Sequence, residues 1–111
     1  MRRQLVMAVI ATLAFVAQAT ANDQLIAQLR TLGKAVDDMS ANISKATSDS
    51  DAQMLATATR EALDKGLTQD NPKVDVKASA GYCRVSIDAP GWKLWSESKK
   101  GVVTDHGATI H

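Results

Sequence analysis

The sequence predicts an α+β fold: two helices followed by a four-stranded antiparallel meander packed on the first of them. Three observations carry this. Leu25, Leu29, Leu32, Val36, Met39, Ile43 and Ala46 recur in alternating steps of four and three, the spacing that lays one apolar seam along a helix. Ser48-Asp49-Ser50-Asp51 then interrupts the pattern with residues that favour a helix start. From Lys73 onward, apolar and polar residues alternate between short Gly- and Pro-containing breaks, the period of half-buried strands joined by tight turns.

The first element has two parts. Met1-Arg2-Arg3-Gln4 is a short cationic start, and Leu5 to Ala17 (LVMAVIATLAFVA) is apolar apart from Thr12. Ala19-Thr20-Ala21 supplies small residues in the arrangement a signal peptidase accepts. Residues 1–21 therefore read as a signal-like or anchoring segment, and residues 22–111 as a single small α+β domain. Two readings of the leader stand open. As a helix the apolar run is ~20 Å long against the ~30 Å of a hydrocarbon core, which fits a cleaved signal. Yet no Gly or Pro appears before Gly33, so a single helix from about Arg3 to about Ala46 also fits. Its start would be apolar all round and its second half amphipathic. Leu5, Val9, Leu13 and Val16 would then continue into the seam of Leu25, Leu29, Leu32, Val36, Met39 and Ile43 as one assembly helix. Gly33 costs ~1 kcal/mol against alanine inside a helix and marks either a bend or a tolerated small residue.

The second helix is expected from about Asp51 to Lys65, with helices confined to 22–66. Its cap is Ser50 with Gln53, or Ser48 in an alternative register with Asp51. Met54, Leu55, Ala58, Ala62 and Leu63 are its expected apolar face, and Gly66 suits the left-handed position beyond its end. Thr68 to Pro72 reads as a loop. Strands are expected at Lys73–Ala80, Tyr82–Asp88, Trp92–Ser98 and Val102–Thr104, so that the sheet occupies 73–104 and Asp105–His111 forms a loose polar tail. The inward set is Val74, Val76, Cys83, Val85, Ile87 and one face of the tryptophan strand.

Composition excludes several classes of function. The chain of 111 residues has 13 basic and 12 acidic side chains; without Arg2 and Arg3 the count is 11 to 12, a net charge of −1. Such a domain carries no electrostatic footprint for nucleic acid. Cys83 is the single cysteine, so no disulfide forms within the chain, leaving a buried thiol, an intermolecular bridge or a reactive thiol as its readings. His106 and His111 stand near Asp105 but lack a third ligand at useful spacing, so no metal and no cofactor are expected. There is no nucleophile elbow, phosphate loop or other convergent polar motif, so the chain does not read as an enzyme, and no small-molecule substrate is expected. Trp92 and Trp95 point to opposite faces of their strand; one belongs in the core, and the other is a candidate contact residue or a cover for the sheet edge.

The stretch from Leu63 to Val103, with its helix end, alternating strand VDVKASA, Tyr-Cys strand GYCRVSI, tryptophan strand WKLWSES and turn KKGVV, resembles the second half of type IV pilin-like subunits and pseudopilins. The cationic start, apolar helix and amphipathic continuation fit the same layout. The start MRRQLVMAV differs from that family's Gly-Phe-Thr-Leu-Ile-Glu processing site, and Leu5 stands where the family carries an acidic residue. The second cysteine is absent. The resemblance implies a structural subunit of an extracellular or membrane-anchored filament. It would assemble with copies of itself or related subunits through its N-terminal helix and be held at the membrane by residues 1–21 if these are retained. The leader by itself implies the alternative, a small secreted or periplasmic binding module cleaved after Ala21.

Overall fold

The computed structural model describes residues 21–67 and 71–111. The expectations that rest on Leu5, Val9, Leu13 and Val16, and on continuity of the leader with the first helix, lie outside these residues. The elements follow the predicted order: α1 (Ala21–Ser44), α2 (Asp49–Gly66), β1 (Lys73–Ser79), β2 (Tyr82–Ala89), β3 (Trp92–Lys99) and β4 (Val102–Ile110). The sheet is an antiparallel meander in the order β1-β2-β3-β4. Each connection is two residues long. The last, Lys100-Gly101, has φ of 49° and 85°. Positive φ at both central residues is what a type I′ hairpin turn requires.

Both helices lie on one face of the sheet, α2 over β1 and α1 mainly over β3, reaching β2 and β4. The inner face of the sheet presents Val76 and Ala78, then Cys83, Val85, Ile87 and Ala89, then Trp92 and Leu94. Leu29, Val36 and Ile43 of α1 and Ala52, Ala56 and Leu63 of α2 close over them. Alternation along β2 and β3 is complete, every inner residue being buried. α1 is helical straight through Gly33, so this glycine does not end the helix.

Three expectations are corrected. The buried face of α2 is Ala52, Ala56 and Leu63, while Met54 and Leu55 are exposed and Ala58 and Ala62 also face solvent. Counting large apolar residues misplaced the face because alanines bring the helix close to β1. The orientation is set by polar groups at its start: Gln53 Nε2 donates to the Ala78 carbonyl at 2.6 Å, and Ala80 N–H donates to Asp49 Oδ1 at 2.7 Å. Of the two cap registers, Ser48 is the one used, its Oγ accepting from Asp51 N–H at 3.1 Å. Second, Gly66 is the last helical residue, and Leu67, whose N–H donates to the Leu63 carbonyl, follows it with negative φ. Third, the segment after Thr104 continues β4 to Ile110. A bulge opposite Glu97/Ser98 inserts one residue and breaks the period of two, which hides the strand from an alternation count.

Candidate functional site

The apolar seam of α1 faces the protein's own sheet. Leu29, Val36 and Ile43 are buried, and Leu25, Leu32, Met39 and Ala46 pack against the same core. Among the described residues the seam is therefore covered by the chain itself. Cys83 lies on the inner face at 0% exposure, and burial pushes its thiol from 9.0 up to about 11. A bridge to another chain through this sulfur requires the sheet and helix to part. Trp92 joins the core, whereas Trp95 is half-buried on the outer face. The pair thus divides as the alternation predicts.

The two ends of α1 are held differently. At its C-terminal end, Ser40, Ser96 and Ser98 are each fully buried, with Ser40 Oγ 2.7 Å from Ser96 Oγ and 2.6 Å from Ser98 Oγ. Ser40 donates to the Asp37 carbonyl at 3.2 Å, which leaves its two lone pairs for the hydroxyl protons of Ser96 and Ser98. Gly101 N–H donates to Ser44 Oγ at 2.8 Å and Gly81 N–H to the Ala46 carbonyl at 3.0 Å, so two hairpin turns are tied to the helix end. Small hydroxyl side chains allow this close approach and satisfy one another. They carried no sequence signal, because serines in an alternating strand read as its solvent face.

Towards the N-terminal end, α1 and the β3–β4 pair diverge into a groove of about 470 Å³. Its floor is Leu29, Gly33, Leu94, Ala108 and Ile110; Arg30 and Lys34 form the helix rim. Ile26 and Ile110 flank it at 44% and 43% exposure. One end is closed by His106 Nδ1 and Asp37 Oδ2, 2.7 Å apart. A carboxylate only accepts, so Nδ1 carries the proton and donates, which ties β4 to α1. Trp95 borders the groove from the other side of Gly107: a Cβ on Gly107 would meet the indole Cζ2 at 2.5 Å, so only glycine fits beneath the ring. The sequence pattern missed this groove because it is built by β4, which the bulge conceals.

The outer sheet face carries a cross-strand network. Tyr82 donates to Glu97 Oε2 at 2.7 Å, and that bond, then burial, holds its phenol above the ordinary 10.0. Arg84 stands between Glu97 and Asp105 at 3.9 and 3.8 Å, and Trp95 Nε1 donates to Asp105 Oδ2 at 3.2 Å. These contacts link β2, β3 and β4 on a half-exposed surface, where such pairs contribute little. Among the described residues no three His, Cys, Asp or Glu side chains stand together in a way that would hold a metal ion, and no helix is long and apolar enough to cross a membrane. The serine hydroxyls bond one another under α1, while His106 turns to Asp37. Comparison with family models, with curated proteins and with solved structures returns no match.

Proposed function

We propose that the chain is an exported interaction module: the leader is cleaved after Ala21, and the following residues fold as a small α+β domain that acts by binding a protein partner. The observation that supports this reading is the closure of the core within residues 22–111. The α1 seam at Leu29, Val36 and Ile43 meets Val85, Ile87 and Leu94 in one buried cluster. The described surface carries a groove with an apolar floor and a charged rim, suited to contact.

A filament subunit of pilin-like type is the second reading. What favours it is that α1 is already helical at Ala21, four residues on from the end of the apolar run Leu5 to Ala17. Assembly would then rest on that run, since the seam downstream is covered. Intact-mass measurement of the exported protein separates the two readings. A chain beginning at Asn22, sedimenting as a folded monomer or dimer, agrees with the module. A chain that keeps Leu5 to Ala17 and sediments as long polymers replaces it with the filament.

A further inference from the structure

We propose that the groove between α1 and β4 binds an extended segment of a partner protein, added to β4 as a fifth strand, whose inward side chains read apolar, acidic, acidic. This deepens the reading of the chain as an exported interaction module and rests on it. Three observations lead here. β4 is the last strand of the sheet, and among the described residues its backbone pairs only with β3. An open edge offers a row of unpaired N–H and C=O groups to another strand. The two edges are defended unequally. β1 follows Pro72 and turns Lys73, Asp75 and Lys77 outward, whereas Gly107-Ala108-Thr109-Ile110 of β4 has no charge and no proline. The groove runs alongside this undefended half, with Ala108 and Ile110 facing it on the same side as the buried Leu94 and Trp92 opposite them.

The rim then specifies the chemistry of the occupant. Ile26, Arg30 and Lys34 follow one another at intervals of one helical turn. Four helical residues rise ~6 Å and two strand residues ~6.7 Å, so successive inward side chains of an added strand keep step with these three. The position beside Ile26 and Ile110 is apolar, and the next two meet Arg30 and Lys34. Neither cation has an ion pair among the described residues, and Asp37, the acid nearest them in the groove, is engaged by His106. Carboxylates on the incoming strand complete the rim.

The test uses the exported protein as isolated, isotope-labelled, titrated with a heptapeptide of sequence threonine-valine-threonine-glutamate-threonine-glutamate-threonine, blocked at both ends. Expected are chemical-shift changes at Ile26, Arg30, Lys34, Ala108 and Ile110 and slowed exchange of alternate β4 amides. The twin with lysine for glutamate should bind about tenfold more weakly, and that order should reverse in the Arg30→Glu, Lys34→Glu variant. Equal binding of the two peptides, shifts centred on Tyr82 and Arg84, or no binding at millimolar peptide overturns the inference. So does octanoate displacing the peptide while the β4 amides exchange freely, which would give the groove to small carboxylates. A β4-edged dimer that Ala108→Lys dissolves would assign the edge to a second copy and overturn it as well. The mass of the same sample keeps the two proposals apart: a retained leader ends the module reading, whereas absent binding by a chain starting at Asn22 ends only this one.

Discussion

The C-terminal end of α1 is clamped by buried hydroxyls and two hairpin turns, while its N-terminal half stands off from the sheet edge over an apolar groove. The same helix on the same sheet yields a closed joint at one end and an open surface at the other. The difference lies in side-chain size and in the β4 bulge. Serines opposite Ser40 let helix and strands touch, whereas beyond the bulge β4 offers Ala108 across from Leu94, and the space above it is left unfilled. Structural bonds collect where backbone approaches backbone, and exposed apolar surface collects where it does not.

Shortening side chains at each end breaks the comparison most directly. Ile43→Ala removes a side chain that is 3% exposed at the clamped end and should cost ~2–5 kcal/mol in a urea melt. Leu29→Ala, beside the groove, should fall at or below the lower limit of that range, because its neighbours already border open space. Equal losses would mean that the two ends are packed alike. Ser40→Ala strips the shared acceptor from two buried hydroxyls and should cost ~1–3 kcal/mol. Replacing Ser40, Ser96 and Ser98 together by alanine should cost less than the three single changes summed, since no orphaned hydroxyl remains; strict additivity would show that the serines act separately.

Gly107→Ala drives a methyl into the Trp95 ring and should cost ~1–3 kcal/mol, with a shift in tryptophan emission as the indole leaves its seat. An unchanged spectrum would place the ring elsewhere. The clamped end also carries a pH signature through Cys83, which is paired across the strands with Ser98. Its thiol titrates at about 11 when folded and at 9.0 ordinarily, so the unfolded chain loses its proton first. Stability from this group is full below pH 9.0 and declines between there and about 11. Cys83→Ala should flatten that decline relative to the parent, measured as the urea midpoint against pH. The smallest effect is a gain: a Cβ at Gly33 would lie 3.5 Å from Leu94 Cδ1, an ordinary contact, so Gly33→Ala should stabilise by ~1 kcal/mol. A loss of stability there would show that the groove end is already tightly packed.

Much of the fold was legible from pattern alone, and the exceptions share a cause. The seam of α1, the alternation of β2 and β3 and the breaks at Ala89-Pro90-Gly91 and Lys99-Lys100-Gly101 each express a local rule that the structure keeps. The face of α2 was not legible, because alanines pack through proximity rather than size. The second half of β4 was not legible either, because a bulge resets the period and Gly107 looks like a breaker when it is a seat for Trp95. Of the candidate site, the sequence offered Trp95 but not the groove, since Arg30, Lys34, Ala108 and Ile110 come together only when β4 is extended past Thr104.

Local periodicity and turn chemistry decided which segments are helix and which are strand, because those choices depend on neighbours a few residues away. It was tertiary structure that chose how each helix rolls onto the sheet, which hydroxyls are buried together and where the surface stays open. Those outcomes depend on the fit between faces that are distant in the chain, a matter of volumes and hydrogen-bond partners rather than of period.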